Sequence, residues 1–301
     1  MNSKIKLTLR RLTLGVSLSL ALLSHAGAAA VQAEKPALSA VSALPDAAQI
    51  DPAVQIMAQL RALRSNDVQA LLRSVTDQSG YDALRAKYEL ARAKPISEHD
   101  RKEFAESIGK LLAPNAENTL MQEIEPELVK NRPQMAGALL MGFGAMQMAL
   151  AKQDDNLTED QRSALQALVP ELQKWASNTD FLSSDLMRKV IRIAINTAKN
   201  SGVRSLDDAK ALSFEQATQR ADQFVLAFKQ AALVYGLQLD QILDSVRVQT
   251  LKVQGNLASV RSSAVVFGVA LSHEHELSFS EGRWQPASKA ERQTGPAVPG
   301  K

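Results

Sequence analysis

The chain has no cysteine. That excludes a disulfide framework, a thiolate metal site, a cysteine nucleophile and a lipid-modified N-terminal cysteine. Aromatic residues make up only 4% of the sequence, too few for stacking platforms that would hold bases or sugars. Its four histidines leave little material for a His-dependent triad. The sequence contains no G-x-S-x-G, H-E-x-x-H, G-x-G-x-x-G or Walker A pattern, so the common hydrolase, zincin, dinucleotide and nucleotide signatures are missing.

What is present begins with an export pattern. Lys4, Lys6, Arg10 and Arg11 precede an uncharged, largely apolar run from Leu12 to Leu23, and small residues follow up to Val31-Gln32-Ala33. A basic flank, a short apolar core and an A-x-A-like site, in that order, predict a secretory signal peptide over residues 1–33. Cleavage is placed after Ala33, with Ala28 and Ala30 as alternatives, and the expected address is the periplasm. The apolar run is too short for a comfortable membrane span.

Without that segment the apparent basicity disappears. The formal charge of the whole chain is +3, but the 35 basic residues less the four of the signal leave 31 against 32 acidic ones, a balance of −1. Such a balance lacks the electrostatic footprint of a nucleic-acid binder.

Helix signals dominate residues 51–244. Asp51-Pro52 is a cap followed by proline at the first helical position, and Asn66-Asp67 opens a second helix. Ser79 precedes a third, which Pro95 ends. Ser97 with Asp100, Thr158 with Gln161, Ser205 with Asp208 and Ser213 with Gln216 have capping spacing. Asn115 is expected to cap a helix ending near Lys130, and Pro133 to open a separate one over 133–152. Ser184 is expected to cap a helix that Gly202 ends, and the helix after Ser213 runs to Gly236. Residues 34–50 form an Ala/Ser/Pro-rich leader.

Near Ser245 the period changes from 3.6 to 2. Turn signals at Gln254-Gly255-Asn256, Gly268 and Glu281-Gly282 separate alternating segments, which predicts a three- or four-stranded antiparallel meander over 245–285. Residues 286–301 read as a disordered tail. The fold class is therefore α+β, a mainly helical body with a C-terminal meander. The sheet is expected to pack on the first two helices and on helix 213–235, because a small sheet with one bare apolar face is unstable alone.

Four features could carry chemistry. In His273-Glu274-His275-Glu276 both imidazoles share one strand face, the spacing for chelating one metal ion, although zinc sites use three or four protein ligands. Residues 135–151 contain no charge and are apolar around the whole helix, which fits a buried core helix better than membrane insertion or an oligomer interface; Gly137, Gly142 and Gly144 would let a neighbouring helix approach closely. Met141 and Met148 share a face of that helix, with Met146 off it, and thioethers suit Cu(I), but methionine is also an adaptable core filler. Asp154-Asp155-Asn156 with Thr158-Glu159-Asp160 lacks the EF-hand spacing for Ca²⁺ and fits a polar loop and cap. Glu123, Glu125 and Glu127 fit a solvated helix flank better than paired catalytic carboxylates.

Two stretches carry a resemblance. Leu63 to Leu72 (LRSNDVQALL), and Asp244 to Val248 together with Glu281 to Gln285 (EGRWQ), resemble exported Gram-negative envelope proteins with a nuclear transport factor 2-like (cystatin-like) ending. The resemblance implies a short helix packed on a curved sheet closed by the G-R-W strand. It implies no catalytic residues, and the long helical middle departs from that family's cone.

The sequence thus points to a non-enzymatic envelope protein that needs no cofactor and keeps no transmembrane span after signal removal. Its expected partner is another envelope protein or a small apolar ligand. The alternatives are an envelope hydrolase with a metal at His273/His275, or a membrane-associated protein using 135–151. Expression in a Gram-negative host followed by N-terminal sequencing of the periplasmic fraction should read Glu34-Lys35-Pro36; a chain retaining Met1 contradicts the export reading.

Overall fold

The computed structural model describes residues 50–152 and 159–287. The signal segment and its cleavage site, most of the leader, Asp154-Asp155-Asn156, Thr158 and the last fourteen positions lie outside the described residues. Among the described residues, ten helices and a four-stranded antiparallel sheet follow one another, so the α+β reading holds and the meander has four strands. In order these are α1 (Pro52–Arg64), α2 (Val68–Val75), α3 (Gln78–Ala93), α4 (Glu98–Leu112), α5 (Ala116–Ala151), α6 (Glu159–Asn178), α7 (Ser184–Ser201), α8 (Leu206–Ala211), α9 (Phe214–Val234), α10 (Leu239–Ser245), β1 (Arg247–Gln254), β2 (Leu257–Val266), β3 (Val269–Ser280) and β4 (Arg283–Pro286).

Local chemistry accounts for most boundaries. Asp51, Asp67, Asp77, Ser97, Ser183, Ser205 and Ser213 each accept a hydrogen bond from a first-turn N–H of the helix they precede. Such caps satisfy donors that have no partner within the helix. Ser213 and Gln216 form the reciprocal capping box. The caps of α3 and α7 are Asp77 and Ser183, not Ser79 and Ser184. Gly236, at φ 81°, allows α9 to end in a left-handed turn. There the Tyr235 carbonyl accepts from Trp175 Nε1 at 2.7 Å.

The helical body is built around α7, which packs on α4, α5 and α9. Its core joins Ala116, Leu120 and Met121 of α5 to Ile191 and Ile195 of α7. Glu117 of α5 reinforces the contact by accepting from Arg192 Nε at 3.0 Å and from Arg188 Nη1 at 3.4 Å. The hydrogen bond from Arg192 is the main reason its carboxyl lies below the usual glutamate range. Tyr81, Tyr88 and Phe214 pack ring to ring between α3 and the start of α9.

The sheet has the simple order β1-β2-β3-β4. One face gathers Ala258, Val260, Leu277 and Trp284 into a second core with Ile50, Ile56, Val248 and Phe279. Gln55 of α1 binds the backbone of β4 twice, accepting from Trp284 N–H at 2.9 Å and donating to Trp284 O at 2.7 Å. The indole of Trp284 donates to Ile50 O at 2.7 Å. β1 carries an irregularity between Thr250 and Lys252. The β2–β3 turn is Phe267-Gly268, with φ of 51° and 81°; Phe267 is held there by its ring contact with Trp175 at 5.3 Å.

Three expectations are corrected. Helix α5 is one continuous element with Pro126 and Pro133 inside it, not two helices parted before Pro133. Each proline deletes a backbone bond at a cost of about 3 kcal/mol. Both prolines and the positions four residues earlier, Gln122 and Val129, are exposed, so water can take the freed carbonyls. Second, α9 does not back the sheet. It packs on α2, α3, α7 and α10, while α1, α6 and α10 cover the strands. The turn at Gly236 and the short α10 come between α9 and β1, which leaves α10 as the neighbour of β2. Third, Pro286 and Ala287 belong to the sheet and not to the expected tail, because Pro286 pairs with Leu277 and Ala287 N–H donates to Glu276 O at 3.0 Å; the rest of that segment lies outside the described residues.

A buried ammonium ties the two parts together. Lys229 of α9 has a side chain only 7% exposed. It donates to Leu63 O at 2.7 Å and Arg64 O at 3.0 Å, the last carbonyls of α1, and meets Asp240 of α10 at 2.7 Å. A cation at a helix C-terminus satisfies carbonyls that lack intrahelical donors. Lys229→Met keeps the apolar stem but removes these charge-assisted bonds. It should lower stability by about 2 kcal/mol, read from urea unfolding by circular dichroism.

Candidate functional site

Two places could do more than support the fold. The first is the imidazole pair on β3. Register places His273 opposite Ser262 and His275 opposite Val260, so both rings lie on the sheet face that carries the Val260–Leu277–Trp284 core. Alternation puts Glu274 and Glu276 on the other face, where Glu274 pairs with Arg261. The two rings stack with centroids 5.6 Å apart and planes inclined by 25°.

Helix α6 packs against β3 and brings a polar partner. Gln161 Nε2 lies 3.1 Å from His273 Nε2. This contact ties the Gln161 side chain to the His273 ring. Burial lowers the pKa of His275 below its ordinary value, and the charge of His273 lowers it further. Two rings this close resist double protonation.

As a metal site the pair is incomplete. No group of three or more His, Cys, Asp or Glu side chains that could hold a metal occurs among the described residues. His99 lies on α4, exposed, beside Glu103. The imidazoles would supply two ligands where zinc sites use three or four. Of the acidic candidates on α5, Glu123 is paired with Lys110 at 2.8 Å, Glu125 is exposed and Glu127 is half-buried.

The second place is the C-terminal half of α5. The expectation of a buried core helix at 135–151 is overturned. One side, through Met135, Leu139, Phe143, Met146 and Leu150, is at least partly covered, and α6 is the neighbour that packs there. Among the described residues the opposite side has no neighbour, leaving Leu140, Met141 and Met148 68%, 72% and 69% exposed. α5 contains the one stretch among the described residues that is long and apolar enough to cross a membrane, with a mean hydropathy of 1.3 over 18 residues and only 6% of that window buried. A side chain at Gly137, Gly142 or Gly144 would meet nothing within 4 Å, so among the described residues no helix uses the close approach they permit. Met141 and Met148 share the open side, while Met146 points toward the covered one.

Sequence reasoning identified the histidines and the uncharged run. It missed Gln161 as the partner of His273, and it missed Lys229. The first lay inside a cap pattern. The second had no local signal, because its partners are more than 160 positions away or on a separate short helix.

Comparisons with family models, with curated proteins and with solved structures return no match to this chain.

The histidine pair makes stability depend on pH in a defined direction. Below about 6.5 the unfolded chain takes up a proton at His275 before the folded protein does, so stability is retained above that value and lost as pH falls toward the depressed folded pKa. Urea midpoints measured between pH 7.5 and 5 should fall more for the wild type than for His275→Gln.

Proposed function

We propose that this protein is an exported, non-catalytic binding protein of the cell envelope, and that the outer side of α5 is its contact surface. The observation that carries the proposal is an uncharged stretch of 17 residues, Met135 to Ala151, whose largest side chains on one side stand in solvent. A helix apolar all round is normally enclosed by protein or by lipid, and a contiguous exposed apolar patch marks a contact site. The near-neutral charge of the segment after residue 33 and the lack of a recognisable catalytic motif support the same reading. The hydrolase alternative rests on His273 and His275 alone, which supply two ligands.

The natural absence of cysteine makes a direct test available. Met141→Cys and Met148→Cys each introduce a single thiol on the α5 face, and Ser272→Cys places a control thiol on the exposed outer face of β3. Maleimide labelling in intact envelopes should be at least about tenfold slower than in purified protein at positions 141 and 148, the protection given by an occupant near ten times its dissociation constant. Position 272 should be unaffected. Equal rates at all three positions in both settings would remove α5 as the contact surface.

A further inference from the structure

Resting on the reading of α5 as a contact surface, we infer that its occupant is an anionic phospholipid surface, on which the helix lies in the plane of the headgroups without crossing. The segment from Gln134 to Ala151 holds no ionisable side chain, but cations close it at both ends: Lys130 and Arg132 before it, Lys152 after it. Lys130 and Lys152 are exposed. Arg132 is already engaged by Asp180 at 3.2 Å and Leu182 O at 3.0 Å, so the two lysines are the cations offered to headgroups. The nearest carboxylates in the chain are Glu127 before the segment and Asp154 and Asp155 after Lys152. An apolar stripe with basic residues at its borders matches acyl chains flanked by anionic headgroups.

The size of the stripe separates lipid from a second copy of the chain. Eighteen helical residues span about 27 Å, and a helix side is about 10 Å wide. Two copies pressed together would bury roughly 600 Å², about half of the smallest stable protein interfaces at roughly 1,200 Å². A lipid surface imposes no such minimum and no shape match. Its apolar anchors are Leu140, Met141 and Met148, each about two-thirds exposed or more. α6 covers the other side of α5 and supplies the protein-facing half that keeps the helix at the surface.

Flotation of the full chain with phosphatidylcholine vesicles, with and without phosphatidylglycerol, tests the inference. The protein should float with the phosphatidylglycerol vesicles. Met141→Glu with Met148→Glu should cut the bound fraction at least about tenfold. Both positions are exposed, so thermal melting monitored by circular dichroism should be unchanged in this variant. Lys130→Gln and Lys152→Gln should each weaken binding to the anionic vesicles by about fivefold, with the effect fading in high salt. The variants retain Leu12 to Leu23, so flotation driven by that N-terminal run would survive Met141→Glu with Met148→Glu, and such survival overturns the inference. Failure to float also overturns it, as does a dimer in light scattering that the same pair of substitutions dissolves. Thiol protection at 141 and 148 in envelopes without flotation would leave the contact surface standing with a different occupant. Loss of that protection would remove the surface itself.

Discussion

Lys229 lies under the last turn of α1, its ammonium shared between the Leu63 and Arg64 carbonyls and Asp240. α1 is the helix that rests on β1, β2 and β4, whereas α9, which carries Lys229, belongs to the helical body around α7. Arg64 extends the contact to Asp240 and Asp244 on α10, the helix that leads into β1. One buried cation therefore fixes the relation between the first helix, the longest helix of the C-terminal half and the start of the sheet. A charge this enclosed is tolerated only where its donors are all engaged. The neighbouring geometry is correspondingly constrained: Asn66 turns left-handed at φ 61°, and Val68 N–H donates to Asp222 of α9 at 2.8 Å.

Much of the fold could be read locally. Caps such as Asp51 and Ser213, the ends at Gly202 and Gly236, and the turns at Gly268 and Glu281-Gly282 act over a few residues, and the structure places them where the spacing does. The alternation after Ser245 gave the strands for the same reason. The readings that failed depended on distant partners or on solvent. Pro133 usually ends or begins a helix, but the exposed side of α5 lets water satisfy what the ring removes. The uncharged run at 135–151 suggested a core because hydrophobicity alone does not count neighbours, and α6 covers only one side. Helix 213–235 precedes the sheet in the chain, yet its buried positions, among them Phe214, Thr218 and Ala221, serve the helical body.

The candidate site was legible in the same partial way. Residue spacing put His273 and His275 on one face, and the register confirms that geometry. It could not show that α6 would bring Gln161 to His273, or that burial beside Val260 and Leu277 would lower the pKa of His275. The Gln161–His273 contact joins α6 to the sheet, while the stacking of the two rings lies within β3. α5, which packs on α6, offers the larger unoccupied surface and is the better basis for a functional reading.

The bonds between Gln55 and the Trp284 backbone have a further consequence. β4 is the last strand, and its outward N–H and C=O would otherwise be open to a strand from another molecule. The Gln55 amide occupies both groups from within the same chain, and at the opposite border the irregularity after Thr250, with Lys252 beside it, spoils the regular spacing an incoming strand would need. Both features hinder an incoming strand at the two borders of the sheet, so edge-to-edge pairing between molecules is disfavoured.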